Sequence, residues 1–124
     1  MKFISDLLIL IVAFEALFIM VLEMFFTQTK LARNAFDLSK EYLQQKEAKV
    51  SMANQGLYNG FIGIGIIISR FILPFDARNM ALYLFIGFVI IAALYGAVTA
   101  NKKIILSQGL PAIIALIALL VVNL

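Results

Sequence analysis

Residues 3–26 read FISDLLILIVAFEALFIMVLEMFF, an apolar run that only three carboxylates, Asp6, Glu15 and Glu23, interrupt. A helix needs about 20 apolar residues to cross the ~30 Å hydrocarbon core of a bilayer, and this run is long enough. Similar runs follow at about residues 52–73, 80–99 and 104–122. Because they are continuously apolar rather than alternating, they exclude barrel strands. We therefore predict an all-α membrane protein, with residues 1–124 forming a single domain, a bundle of four transmembrane helices.

The composition agrees with a bilayer environment. Of the 124 residues, 64% are hydrophobic and 14% are charged, whereas soluble domains are about half apolar and a quarter charged. The chain has no His, Cys or Trp, which excludes disulfides, thiolate nucleophiles, haem ligands and nearly all zinc sites. We expect no metal and no cofactor. The remaining carboxylates, amides and hydroxyls give a narrow repertoire, which favours a protein that is not an enzyme.

The distribution of Lys and Arg predicts the orientation. Residues 27–51 carry five of these cations and the loop before residue 104 carries two, whereas the opposite side carries only Lys2, Arg70 and Arg78. Cytoplasmic loops are enriched in Lys and Arg, so we place the loop 27–51 in the cytoplasm and both termini outside. The net charge of +3 then reflects topology and contact with anionic membrane lipid rather than nucleic-acid binding.

The loop 27–51 is expected to be partly helical. Ser39 is a suitable N-cap, and Glu41 places a negative charge in the first turn, where it suits the helix dipole. No Pro or Gly lies between Ser39 and Gly56. We therefore expect one unbroken helix, a cytoplasmic extension that continues into the second span.

Prolines and polar residues predict the other boundaries. Pro74 should end the second helix, and Asp76 or Asn79 should cap the third. The apolar run after Pro111 is too short to cross a bilayer alone, so we expect Pro111 to kink the fourth helix and free the Ser107 carbonyl.

The chain contains a faint internal repeat. Residues 27–30 (TQTK) resemble residues 99–102 (TANK), and residues 54–57 (NQGL) resemble residues 107–110 (SQGL). This match suggests two similar helical hairpins related by an axis along the membrane normal. Chance similarity of such short segments is the alternative.

Glu15 lies about eleven residues from the end of its run, near the bilayer midplane, where an ionised acid costs roughly 3 kcal/mol or more. Glu23 is about 12 Å further along the helix and about 80° around it, so both can face the bundle interior. They are too far apart to act as a close acid–base pair. Such residues predict a ligand-binding or proton site, and the alternative is a neutral Glu hydrogen-bonded to a neighbouring helix.

Further polar residues cluster at the level of Glu23 and complete the candidate site. They are Asn54, Gln55, Tyr58, Asn59, Tyr95 and Gln108. Unpaired polar groups are costly in hydrocarbon, so these side chains should converge on each other, on water or on a ligand. Two interpretations stay open: a polar pocket that opens to the cytoplasm, with Glu15 at its deep end, or hydrogen bonds that hold the helices together.

Glycines predict close helix packing. Gly56 and Gly60 form a small-xxx-small pair, which Gly63 extends. Such a surface serves either packing within the chain or a homodimer.

Four segments together resemble domain-of-unknown-function family 1304, a group of short bacterial membrane proteins. They are residues 22–25 (LEMF), 53–60 (ANQGLYNG), 94–97 (LYGA) and 108–111 (QGLP). The resemblance covers nearly the whole chain and keeps the segments in order. It implies a four-span fold in the inner membrane of a bacterial cell.

The resemblance also implies that Glu15, Glu23, the clustered polar residues and Pro111 match motif positions. In the family pattern a His and a Tyr commonly follow the first Glu, but Ala16 and Phe18 stand there in this chain. This departure puts His-dependent chemistry in doubt. The resemblance implies no activity.

Three functions remain open from the sequence. The favoured one is binding or transport of a small amphipathic or cationic ligand, with Glu15 or Glu23 as counter-ion or proton carrier. The second is a membrane enzyme acting on a lipid or isoprenoid, with Glu23 as general acid or base and with Asn54, Gln55 and Gln108 orienting the substrate. The third is a structural or accessory subunit whose loop helix binds a partner.

Overall fold

The computed structural model describes all 124 residues, and nearly all of the chain is helical. The elements in order are α1 (Lys2–Phe25), α2 (Lys30–Phe36), α3 (Lys40–Gln44), α4 (Lys46–Phe71), α5 (Phe75–Thr99), a π-helical segment (Ile105–Gly109) and α6 (Leu110–Val122). No strand is present. The predicted all-α fold is therefore confirmed.

Three helices are long and apolar enough to cross a membrane: α1, α5 and the continuous helix Ile105–Val122. The outer surface has the character that such helices require. Only 24 of the 124 residues are buried, and large apolar side chains point outward, with Phe3, Leu84 and Val98 being 78%, 70% and 87% exposed. Extended apolar surface of this kind is rare on proteins in water, so this exterior is suited to hydrocarbon.

The fourth long helix, α4, has 26 residues and packs more extensively on α1 than on any other helix. Its N-terminal half is less apolar because it contains the charged residues Lys46, Glu47 and Lys49 as well as Asn54 and Gln55. For that reason α4 is not among the three helices above.

Gly56, Gly60 and Gly63 allow α4 to approach α1 closely. A Cβ added to Gly56 would lie 2.9 Å from Glu23 Cβ, and one added to Gly63 would lie 2.7 Å from the Ala13 carbonyl oxygen. Gly60 lies against the Met20 sulfur. The glycine stripe is thus used for packing within the chain, and α1 covers it against a second copy.

The apolar core lies in the half of the molecule remote from the loop 27–51. All four long helices contribute to it, through Ile9, Val12, Ala13, Ile66, Leu82, Ile86, Ala112, Ala115 and Leu119. The polar residues predicted to form a site are absent from this core. They belong to the other half, as the sequence pattern indicates.

The loop 27–51 departs from the prediction. Ser39 is an N-cap as expected, since its hydroxyl accepts a hydrogen bond from the Tyr42 amide at 3.1 Å. The helix nevertheless stops, because Gln45 has an extended backbone with ψ of 140°, and α4 starts afresh at Lys46. The expectation of one unbroken helix is wrong. Leu43 is fully buried, and its carbonyl accepts a hydrogen bond from Gln28, so tertiary contacts fold this segment back onto the molecule.

The loop also contains α2, which the sequence analysis did not predict. Thr29 caps its start by accepting a hydrogen bond from the Ala32 amide at 3.2 Å. Asp37 ends it in the left-handed conformation, with φ of 54°, which Asp tolerates better than most residues.

At the next boundary, α4 ends at Phe71, and Pro74 is the N-cap of α5. The predicted capping of this helix by Asp76 or Asn79 is wrong, since both lie inside α5. Asp76 instead places a negative charge in the first turn, where it suits the helix dipole.

The final helix begins before Pro111, as predicted, but its opening turns are π-helical. The Leu110 amide donates to the carbonyl of Ile105, five residues back. Because proline has no N–H group, it cannot support the regular hydrogen-bond pattern of an α-helix at this point. The π-helical segment accommodates that loss, and it carries Ser107 and Gln108.

Candidate functional site

One face of α1 presents Glu15, Ile19 and Glu23, whose spacing of four residues aligns them along the helix. They line three adjoining cavities of about 40, 380 and 570 Å³, which share Ile19 and Gln108 as lining residues. We call these three together the polar cavity. Glu15 lines the two smaller ones and Glu23 the largest. The prediction that both carboxylates face the interior agrees with this placement.

Glu23 is the most buried charged residue in the cavity wall, with 1% of its surface exposed. Its Oε1 accepts a hydrogen bond from Asn59 Nδ2 at 2.5 Å. Its Oε2 is buried and has no hydrogen-bond partner. A buried carboxyl oxygen without a donor is costly, so the hydrogen-bonding capacity of Glu23 is only partly met by Asn59.

Residues from the other helices complete the wall. Asn59 and Gln55 come from α4, and Tyr95, which is 71% exposed, comes from α5. Gln108 reaches all three parts of the cavity from the π-helical segment. Such segments often occur at functional sites because they change the direction in which a side chain points.

The cavity extends to the end of the molecule where the loops lie. Asn34 and Phe36 of α2 line it there, together with Asn101 and Lys103 of the connection after α5. Neither Asn34 nor Phe36 is among the predicted site residues, because the sequence pattern did not indicate α2. The Thr29 N-cap, followed by good helix formers up to Asp37, is the local signal that could have revealed this helix.

Two predicted site residues lie outside the polar cavity. Asn54 donates a hydrogen bond to the Val50 carbonyl of its own helix at 2.9 Å, and Tyr58 is 74% exposed. Neither is among the lining residues of the three cavities. The structure therefore brings together Glu15, Glu23, Gln55, Asn59, Tyr95 and Gln108, and leaves these two on another side of α4.

The polar residues of the wall are carboxylates, amides, hydroxyls and one cation, Lys103. No group of three or more His, Cys, Asp or Glu side chains is close enough to hold a metal ion. Two carboxylates, five amides and an apolar lining can instead bind a cation that carries N–H donors and an apolar body, with the cation Lys103 lying at the loop end of the cavity.

Comparison with known proteins places the chain in a family. Residues 10–120 match the family model described as "Protein of unknown function (DUF1304)". The chain is also 42% identical over 118 residues to a Lactococcus lactis subsp. lactis (strain IL1403) protein named "Uncharacterized protein YpaA", with 95% of this chain and 98% of that one covered. No solved structure matches the chain. The match over nearly its full length confirms the resemblance seen in the sequence motifs: the chain belongs to the DUF1304 family.

Proposed function

We propose that this chain is a membrane protein that binds a small cationic, amphipathic molecule in the polar cavity. The observation that carries the proposal is Glu23 Oε2, which is buried in the cavity wall without a hydrogen-bond donor. A protonated amine supplies both a donor and a compensating charge, and hydrogen bonds between charged groups are the stronger kind. Apolar lining residues such as Ile19 and Phe36 suit the rest of such a ligand.

We further propose that α4 is a fourth span. Its 26 residues extend about 39 Å at 1.5 Å per residue, which exceeds the ~30 Å hydrocarbon thickness. Its polar side chains Gln55 and Asn59 line the cavity, and Arg70 near its other end pairs with Asp6. The exposed Tyr58 suits the headgroup region, where amphipathic aromatic rings are enriched.

In this topology both termini lie outside and the cavity opens to the cytoplasm, at the inner membrane of a bacterial cell. Seven of the ten Lys and Arg residues belong to the segments 27–51 and 100–103, and these segments flank the cavity mouth. The remaining three line a cavity at the opposite end. This asymmetry is the one that the positive-inside rule requires.

Two polar contacts between helices at that opposite end support the proposed repeat of two hairpins. Asp6 of α1 pairs with Arg70 of α4. Asn79 of α5 donates a hydrogen bond to Asn123, just beyond α6, at 3.0 Å. Each hairpin is thus closed by a polar contact at the end remote from its connecting loop.

The alternatives gain less from the geometry. The enzyme alternative uses Glu23 as acid or base and expects Asn54 to orient the substrate, but Asn54 lies outside the cavity. An accessory subunit was expected to use a projecting helix, but Leu43 is buried and the segment folds back.

The proposal is tested by titrating the purified protein in detergent with 2-phenylethylamine, using the neutral 2-phenylethanol as a matched ligand. We expect the amine to bind and the alcohol to bind much more weakly. Glu23→Gln should weaken amine binding about tenfold or more, because a hydrogen bond to a charged group contributes roughly 1.5–3 kcal/mol. Glu15→Gln should weaken it less, since Glu15 lies deeper and is only partly buried.

Glu47→Gln is the matched control, because Glu47 is an exposed carboxylate in the first turn of α4. Equal affinity of the native protein, Glu23→Gln and Glu15→Gln for the amine would refute the role of the carboxylates. Uptake of labelled amine into proteoliposomes, compared between the native protein and Glu23→Gln, then separates transport from binding alone.

A further inference from the structure

A second polar cavity, of about 50 Å³, lies at the end of the molecule opposite the mouth of the polar cavity. Its charged lining residues are three cations, Lys2, Arg70 and Arg78, and one carboxylate, Asp6. Asp6 is already engaged, because both of its carboxyl oxygens accept hydrogen bonds from Arg70, at 2.5 and 2.6 Å. The charges of Lys2 and Arg78 therefore remain uncompensated within this cavity.

Two donors in the wall have no partner. Ser5 is 1% exposed, and its hydroxyl makes no hydrogen bond. The Nε of Arg78 is also buried and unpaired, although its Nη2 donates to the Leu73 carbonyl at 3.3 Å. Buried polar atoms are rarely left unpaired, and here a hydroxyl and a guanidinium lie in the wall of one space.

The two asparagines that line this cavity, Asn79 and Asn123, do not supply partners for these donors. Asn79 donates its amide hydrogen bond to Asn123, and Asn123 donates to the Leu119 carbonyl at 2.7 Å. A cavity needs roughly 10–15 Å³ to hold one water, so this one, at about 50 Å³, has room for a small polar group.

We propose that this cavity binds a phosphate group, with Arg78, Lys2 and Ser5 as its donors. A phosphate carries negative charge and accepts several hydrogen bonds, which matches the excess of cations and the unpaired donors. Phe75 lines the cavity and is largely exposed, and two more exposed apolar side chains, Phe3 and Ile72, lie next to or near the lining residues Lys2 and Arg70 in the chain. These apolar side chains favour a phospholipid headgroup, whose acyl chains would lie along them, over free phosphate.

The experiment measures binding to the purified, delipidated protein in a phosphate-free neutral detergent by native mass spectrometry. The probes are short-chain phosphatidylglycerol, inorganic phosphate and short-chain diacylglycerol, which lacks the phosphate. We expect phosphatidylglycerol to bind and diacylglycerol not to bind. Tight binding of inorganic phosphate would also support the site and would identify free phosphate as its source.

Three variants locate the binding. Arg78→Gln should weaken phosphatidylglycerol binding about tenfold or more, and Ser5→Ala should weaken it several-fold while replacing a buried hydroxyl with a small apolar group. Lys49→Gln removes one exposed cation at the opposite end and should leave the affinity unchanged. Equal effects of Arg78→Gln and Lys49→Gln, or unchanged binding in Ser5→Ala and Arg78→Gln, would overturn the proposal.

Because Arg78→Gln could also impair folding, each variant is compared for helical circular dichroism and thermal unfolding in the absence of probe. Ser5→Ala then decides the outcome alone if Arg78→Gln does not fold. Phenylethylamine binding at the polar cavity should be unaffected by Ser5→Ala, so failure of this site and failure of the proposed function are distinguishable.

Discussion

Replacement of Gly63 by Ala tests whether the contact between α4 and α1 holds the fold together. An added Cβ would lie 2.7 Å from the carbonyl oxygen of Ala13 and 2.9 Å from Leu17 Cγ. The backbone oxygen cannot move without displacing α1. Gly87, in the interior of α5, is the matched control, because an added Cβ there meets nothing within 4 Å.

Gly63→Ala and Gly87→Ala share the same gain in helix propensity, but only Gly63→Ala adds a steric clash. Each replaces Gly by Ala inside a helix, which favours the helix by up to about 1 kcal/mol. Only Gly63→Ala also overpacks an interface, at a cost of typically 1–3 kcal/mol. The difference between the two free energies of unfolding therefore isolates the steric cost. We expect Gly87→Ala to be neutral or stabilising, and Gly63→Ala to be less stable than Gly87→Ala by about 1–3 kcal/mol.

The assay is unfolding of the purified protein in mixed micelles by increasing amounts of sodium dodecyl sulfate, followed by circular dichroism. Gly60→Ala should fall between the two variants, because the nearest atom to its added Cβ is the sulfur of the flexible Met20 side chain. If Gly63→Ala is as stable as Gly87→Ala, α4 does not approach α1 as closely as described. The hydrogen bond from Asn59 to Glu23 depends on the same contact between the two helices, so it would be refuted as well.

Two further predictions use the same material. Asp6→Asn removes the carboxylate that accepts two hydrogen bonds from Arg70 and should lower the free energy of unfolding by roughly 1–3 kcal/mol. The double variant Asp6→Arg with Arg70→Asp exchanges the two charges and should recover part of that loss. If Asp6→Asn is as stable as the native protein, the pair contributes nothing to stability. Pro111→Ala restores an N–H group and should convert the π-helical segment to α-helix, which turns Gln108 away from the cavity by part of the ~100° that separates successive residues. The affinity for phenylethylamine should then fall, while the free energy of unfolding stays unchanged or rises. An unchanged affinity would contradict a role for the π-helical segment in binding.

The long helices and their polar half could be predicted from the sequence because hydrocarbon leaves few choices. Runs of about 20 apolar residues must be helices there, since every backbone group has to be paired within the segment. The same constraint placed the clustered polar residues in one half of the molecule. The glycines at positions 56, 60 and 63 likewise implied a close contact, although only the structure shows that α1 is the partner.

The loop 27–51 could not be predicted in the same way, because its fold depends on contacts between distant residues. The break at Gln45 has no local signal such as Pro or Gly. It accompanies the burial of Leu43 and the hydrogen bond from Gln28, fifteen residues earlier in the chain. Phe36 is missing from the predicted site for the same reason, because α2, the helix that carries it, was not predicted.

Side-chain direction limited the prediction of the site. Asn54, Gln55, Tyr58 and Asn59 lie within two turns of one helix and are equally polar in the sequence. Only two of the four face the cavity, because the glycine stripe sets the rotation of α4 about its own axis and Asn54 pairs with its own backbone. Rotation of a helix is decided by packing against its neighbours, which composition alone does not encode.

The separation of the apolar core from the polar cavity bears on how every binding test is interpreted. The nine core residues come from all four long helices, and neither Glu15 nor Glu23 is among them. The glycine stripe joins the two halves, since Gly63 contacts α1 near the core and Gly56 contacts it at Glu23. Conservative changes such as Glu23→Gln leave the core and the stripe intact, and the new amide can still accept the hydrogen bond from Asn59. A loss of amine binding in that variant would therefore report on the carboxylate charge, whereas the same loss in Gly63→Ala would report on the packing that positions it.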